Sequence, residues 1–279
     1  MMPHPWILGS AFILLVIVCL VVIWVIRRRS SSSADFARPE GHTGPSQGAL
    51  VIVEPRAHPN LKRVMHAFHA KVPADWTLYV VHGTTNETYA KKAAADLMPH
   101  RRVVFIRLNT SNLNPSQYNA LFKTPEFWDQ IDAEHILVFQ TDTMPCGPAL
   151  DMERYKKFGY VGCAYGNLAG PNTYWAPYSF YGCGGLSLRR KSFMKACLAK
   201  RPRGTDPDEE DVTFSTCVDD LAAQFPIPSV EDLGDFCAQQ TWGGTDKPPK
   251  SFGAHQLSKN MFGETLGTFL EYCPAAAIT

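Results

Sequence analysis

Four stretches of this chain carry residue types whose order suggests chemistry. Between residues 134 and 143 a short apolar run, Ile136, Leu137, Val138 and Phe139, gives way to Gln140, Thr141 and one acid, Asp142. In open α/β sheets ligands bind just beyond the carboxyl ends of the strands. A carboxylate there can hold a hard divalent cation, which can in turn hold a diphosphate. The same Asp could also simply punctuate the strand end as a cap or turn residue. Next come Gly182, Cys183, Gly184 and Gly185, followed by Leu186, Ser187, Leu188, Arg189 and Arg190. The string lacks both the phosphate-loop ending and the dinucleotide fingerprint. It reads either as backbone that a ligand approaches closely or as a turn before a strand, and the two arginines either meet phosphate or face solvent. Third, an acidic cluster from Asp206 to Asp211 opens a predicted helix. Carboxylates there cap free amides, or Asp211, with Glu210 as the alternative, could deprotonate a hydroxyl as a general base. Last is His255 in a loop. A loop histidine is usually a surface residue, but with Asp142 it completes an O/N ligand pair suited to manganese.

The elements that must position these residues alternate. Residues 49–53 read as a strand, and residues 59–71 place Leu61, Val64, Met65 and Phe68 on one helical face. Strand 76–81 closes on His82 and Gly83, helix 87–97 follows, and strand 103–108 leads through a polar stretch to helices 117–122 and 126–131. The strand ending at Asp142 is the fourth. This alternation predicts a parallel sheet with right-handed crossovers, a nucleotide-binding type of half. The second half, rich in Gly, Pro and aromatic residues, suits a substrate-facing region built on loops.

Residues 7–26 are apolar or small, without charge or proline. At about 20 residues, or roughly 30 Å of helix, they are long enough to cross a bilayer. The predicted organisation is a short flank (1–6), a transmembrane anchor (7–26), a flexible stem rich in Ser, Gly and Pro (27–48), and one folded domain (49–279). Arg27, Arg28 and Arg29 behind the anchor favour a cytosolic domain. Two glycosylation acceptors, Asn86 with Thr88 and Asn109 with Ser111, favour a lumenal one. The expectation is a single-pass membrane protein of the Golgi or endoplasmic reticulum with a lumenal domain, a cytosol-facing orientation being the alternative. The net charge of +1 and the lack of a basic run beyond the anchor flank argue against nucleic acid binding. Of eight cysteines, Cys19 lies in the anchor; the other seven show no Cys-x-x-Cys spacing, which argues against zinc. In an oxidising lumen some could pair, and an odd count leaves at least one free.

In order along the chain these features resemble glycosyltransferases of the GT-A fold. More narrowly they resemble an uncharacterised GT-A-like family known only as a domain of unknown function. The residues that carry the likeness are Trp76, His82 and Gly83; Tyr118 and Asn119; Phe127 and Trp128; residues 136–143; Tyr160, Val161 and Gly162; residues 182–189 with Met194; Glu210, Asp211, Phe214 and Ser215; and Gly253 with His255. The resemblance implies a Rossmann-like nucleotide-diphospho-sugar transferase domain. It would move a sugar from a nucleoside diphosphate sugar to a hydroxyl of a glycan, protein or lipid. In that scheme Asp142 and His255 hold a divalent cation, expected to be Mn2+, while Gln140 and Thr141 lie along the donor. Glu54 and Arg56, just past the first strand, contact base or ribose, and the backbone of Gly182, Cys183, Gly184 and Gly185 lines the sugar and acceptor pocket. Asp211, or Glu210, is the base. The chain departs from the pattern at Gln140, which replaces the first acid of the Asp-x-Asp motif, at Cys183, which replaces an Asn, and at Gln239 and Gln240, where a Glu is expected. A binding module that has lost its metal site is therefore the alternative from another class.

Overall fold

The first strand, β1 (Ala49–Val53), is buried along its whole length. An uninterrupted apolar run of this kind belongs to a strand covered on both faces. The computed structural model describes residues 46–164, 182–201, 209–239, 250–257 and 263–278. The predicted anchor, most of the stem, the acidic residues 206–208 and Gln240 lie outside the described residues. Among the described residues no helix is long and apolar enough to cross a membrane.

Beside β1 lie β2 (Thr77–His82) and, beyond it, β3 (Val103–Arg107); on the other side lies β4 (His135–Phe139). All three pairings are parallel, as the alternation of strand and helix requires. The helix Leu61–His69 buries Leu61, Val64, Met65 and Phe68, the face predicted from their spacing. Phe68 sets its ring 4.5 Å from that of Phe139. Further crossovers are supplied by the helices Glu87–Ala94, Pro115–Phe122 and Pro125–Asp129.

Past β4 the sheet ceases to be parallel. A short β5 (Thr143–Pro145) leaves it, and β6 (Tyr160–Ala164) and β7 (Gly182–Arg190) complete the order β3-β2-β1-β4-β7-β6. β7 runs antiparallel to both neighbours. The glycine string is thus neither a turn nor a loop but the first part of this strand. Its register against β6 jumps at Gly162 and Cys163, which pair with Ser187 and Cys183 respectively. The resulting bulge re-aims the intervening residues.

A second, three-stranded sheet sets β5 antiparallel to β9 (Gly253–His255), which in turn pairs in parallel with β8 (Cys237–Ala238). Three disulfides join described residues: Cys146–Cys273, Cys163–Cys237 and Cys197–Cys217. Cys183 is a buried free thiol.

Candidate functional site

Strand order reverses between β1 and β4, so the chain segments leaving them diverge and open a crevice at their carboxyl ends, where doubly wound sheets bind ligands. A cavity of about 450 Å³ occupies this position. Glu54 and Arg56 contribute one wall, Gln140, Thr141 and Asp142 another, and Tyr118 and Asn119 a third. The five residues assigned to the donor by sequence therefore share one cavity. The Gly182 to Gly185 backbone is not part of its lining and packs against other site residues instead.

β4 ends at Phe139, three residues before Asp142. The Gln140 carbonyl accepts hydrogen bonds from the Thr143 amide (3.2 Å) and hydroxyl (2.6 Å), which closes a turn. Thr143 then enters β5 opposite His255 of β9. This pairing brings Asp142 and His255 together across 112 residues of intervening chain, with Asp142 Oδ1 3.6 Å from His255 Nε2. The separation exceeds a direct hydrogen bond. Asp142 Oδ2 accepts a hydrogen bond from Gln256 Nε2 at 2.8 Å. Gln256 adopts φ 48°, a left-handed conformation that a non-glycine residue rarely takes and that clusters at functional sites. On the far side of the imidazole, Cys183 Sγ lies 3.3 Å from His255 Nδ1. Burial pushes the Cys183 thiol well above its ordinary pKa, and the negative charges of Asp211 and Glu210 add to this.

The two adjacent acids take different roles. Glu210 opens the helix Glu210–Asp220 and is buried, with both carboxylate oxygens bound by Arg189 at 2.7 and 2.8 Å. Arg189 is itself wholly buried, its guanidinium 4.9 Å from the ring centre of Phe122 and 5.3 Å from that of Tyr160. It neither meets phosphate in solution nor faces solvent. Burial works against its charge, but Glu210, joined by Tyr160 and Tyr118, raises its pKa on balance. Arg190 pairs with Glu134 at 3.0 Å. Gly184 is required beside this pair, since a Cβ there would fall 2.1 Å from Glu210 Oε1. Glu210 is therefore occupied as the counter-ion of Arg189, which corrects its candidacy as a base. Asp211 accepts only two backbone amides, Gly184 at 3.2 Å and Val212 at 2.9 Å. Its pKa is pushed up to about 6, chiefly by burial and then by the neighbouring Glu210 charge.

At the other wall, Arg56 binds both oxygens of the buried Glu54 carboxylate at 2.8 Å, while its own side chain stays 56% exposed. Asn86 holds this loop in place. It is buried, accepts from the Gly83 amide, and donates through Nδ2 to the carbonyls of Glu54 (2.9 Å) and Arg56 (2.8 Å). An amide so engaged has no room for a glycan, and the reading of Asn86 as a glycosylation acceptor is corrected. Asn109 is exposed.

Sequence reasoning missed Gln256, whose only signal was its place next to His255. It also gave no role to Asn119, which lines the cavity and accepts from the Glu210 amide at 3.2 Å. That bond connects the cavity to the start of the Glu210–Asp220 helix.

Among solved structures the chain is similar to mouse xyloside xylosyltransferase 1 in its apo form, with 9% identity over 70% of this chain and 87% of that one, at a TM-score of 0.46. It is also similar to the apo-form glycosyltransferase GlyE of Streptococcus pneumoniae, with 10% identity over 85% of this chain and 61% of that one, at a TM-score of 0.45. The mannosyltransferase PcManGT of Pyrobaculum calidifontis, in complex with GDP-Man and Mn2+, is a third, with 13% identity over 74% of this chain and 60% of that one, at a TM-score of 0.44. The chain thus spans about three fifths of the length of the last two. No curated protein matches it. Residues 102–255 of the 279, more than half of the chain, match the family described as protein of unknown function (DUF5672), and the chain belongs to that family.

Proposed function

We propose that this chain is a glycosyltransferase that moves a sugar from a nucleoside diphosphate sugar to an acceptor hydroxyl. The observation that carries the reading is the cavity at the reversal of strand order, which gathers Glu54, Arg56, Gln140, Thr141 and Asp142, with His255 set beside Asp142. The nucleoside lies toward the loop after β1, where the Glu54 and Arg56 pair faces base or ribose. The diphosphate lies toward Asp142.

The donor set fits a divalent cation such as Mn2+. Two ligands about 2.1 Å from one octahedral ion stand about 3 Å apart when adjacent, and the 3.6 Å between Asp142 Oδ1 and His255 Nε2 closes to that distance with a small rotation of the partly exposed Asp142 side chain. Asp142 and His255 would hold the ion, with the diphosphate and water completing its shell. Bound there, it would neutralise the diphosphate and stabilise its departure. Asp211 acts on the acceptor. As the acceptor oxygen bonds to the anomeric carbon and the bond to diphosphate breaks, its carboxylate takes the hydroxyl proton. A base with a pKa of about 6 is ionised at neutral pH and still a useful proton acceptor. The glycines of β7 serve this arrangement from behind by giving space to Glu210 and the imidazole.

The domain is anchored through residues 7–26 and faces the lumen of the Golgi or endoplasmic reticulum. Three disulfides support this orientation, because such bonds persist in oxidising compartments and are rare in the cytosol. One observation favours a second reading, a sugar-nucleotide binding module without turnover. Among the described residues no group of three or more His, Cys, Asp or Glu is placed to hold a metal, and Gln140 stands where an acid would. Titrating the full-length chain with a panel of nucleoside diphosphate sugars, with and without Mn2+, separates the two. Metal-dependent release of nucleoside diphosphate from one donor is expected. Binding without release, even with mixed acceptors present, would establish the binding module.

A further inference from the structure

We infer that Cys183 and Gly185 form a seat that fixes the imidazole of His255 with Nε2 turned toward Asp142, making Cys183 a positioning residue for the metal pair. This rests on the reading of Asp142 and His255 as cation ligands. Both ring nitrogens are accounted for by geometry: Nδ1 lies 3.3 Å from Cys183 Sγ, and Nε2 lies 3.6 Å from Asp142 Oδ1. A histidine that ligates through Nε2 needs a lone pair there, so its one proton must sit on Nδ1 and be accepted by something. Sulfur is a weak but real acceptor at this distance.

Gly185 supplies the second constraint. A Cβ at this position would fall 2.2 Å from His255 Nε2 and 2.4 Å from Cε1. The ring therefore lies close against the strand backbone, in space that any side chain at position 185 would take. Cys183 and Gly185 lie two residues apart in β7 and so share one face of the strand. One step along β6, from Gly162 to Cys163, corresponds to the step from Ser187 to Cys183 in β7, and the residues between turn Gly184 toward Glu210 and Gly185 toward His255. Among the described residues Cys183 is the one free thiol, the other six cysteines being joined in disulfides.

The test uses the full-length chain and Mn2+ alone, with free Mn2+ followed by its paramagnetic resonance signal. Cys183→Ala is expected to weaken Mn2+ binding about tenfold, the usual cost of losing the partner of a ligating histidine. Cys183→Ser, which keeps an acceptor, is expected to recover part of the loss. His255→Ala is the control: it should weaken binding at least as much. If His255→Ala weakens Mn2+ binding and Cys183→Ala does not, the seat is overturned while the metal reading stands. If His255→Ala leaves Mn2+ binding intact, the metal reading fails, and the ring's nitrogen shifts in the metal-free protein then decide the seat alone. Wild-type protein should hold the proton on Nδ1 and Cys183→Ala should mix the two tautomers; identical tautomer ratios in both would overturn the inference.

Discussion

From Ala49 to Asp142 the chain contains no cysteine, whereas after Asp142 it contains seven, six of them in disulfides. The first region builds four parallel strands whose apolar residues are almost all buried, and it closes its crossovers with amphipathic helices. Apolar burial holds such a layer together without covalent help. The later region also buries apolar residues, Tyr160, Leu186, Phe193, Phe214 and Phe236 among them, but part of it is thinly built. Its small sheet consists of strands of two and three residues, too short to persist on their ladders alone. Disulfides take over. Cys146–Cys273 ties the residue after β5 to the end of the helix Gly263–Tyr272, and Cys163–Cys237 ties β6 to β8. Cys197–Cys217 joins the helices Lys191–Lys200 and Glu210–Asp220. The first region is thus held by its core alone, and the region that positions His255 and Asp211 by its core together with cross-links.

The sharpest way to break this comparison is to alter one chemical group on each side. Asp142→Asn should lower turnover about 10³-fold, the scale of losing an electrostatic stabiliser of the leaving group, with melting temperature unchanged. Full activity with unaltered Mn2+ dependence would remove Asp142 from the site. Asp211→Asn should lower turnover about 10²- to 10⁴-fold while donor affinity, set in the other half, stays put. Equal loss of both would make Asp211 structural. In the wild type, turnover should fall tenfold per pH unit below about 6, where Asp211 gains its proton. Stability moves the opposite way. Folded Asp211 keeps its proton to higher pH than the unfolded chain does, so its contribution is full below the ordinary carboxylate range and is lost as pH rises through about 6. A pH–rate profile and a pH–melting series on the same protein check both signs.

Next in size are the supports of the cross-linked half. Glu210→Ala leaves Arg189 buried among aromatic rings without its counter-ion, which should cost about 3–5 kcal/mol. Glu210→Gln, which keeps hydrogen bonds but not charge, should fold better and separate the structural loss from any catalytic one. Replacing Cys197 and Cys217 together opens a cross-link of sequence separation 20, worth about 3 kcal/mol by loop closure. Hydrogen exchange after mild reduction should show amides of the small sheet opening before those of β1 to β4. Uniform opening across both halves would erase the contrast.

The same division explains what could be read from the sequence. Strands at 49–53, 77–82, 103–107 and 135–139 stood out because buried parallel strands are uninterrupted apolar runs, and the helix face of Leu61, Val64, Met65 and Phe68 because its period is fixed. The strand tip with Asp142 followed from that layout. Beyond it the signals were long-range. Nothing local in Gly182 to Gly185 reveals a bulged antiparallel strand, because the glycines answer to Glu210 and His255, distant in sequence. Nothing local in Glu210 and Asp211 says which acid Arg189 takes. Nor do seven cysteines reveal their pairing, since 127 and 74 residues separate two of the bonded pairs. Asn86 misled for a related reason: the acceptor triplet is a local pattern, whereas its amide is spent on loops of the folded domain.

The smallest effect expected lies in the half without cross-links, and it tests the proposed lumenal orientation. Asn109 is exposed, so Asn109→Gln should change stability by less than about 0.5 kcal/mol. If the domain is lumenal, that variant should run faster than wild type on a gel, and glycosidase treatment should remove the difference. Asn86→Gln should do the reverse, leaving mobility as it was while destabilising the loop that carries Glu54 and Arg56. The disulfides and a glycan on Asn109 would be independent witnesses from opposite halves of the molecule. A wild-type chain that carries no glycan but keeps Cys146, Cys163 and Cys197 oxidised would mean that the acceptor at Asn109 goes unused. One that lacks both would place the domain on the cytosolic face, where the arginines behind the anchor point.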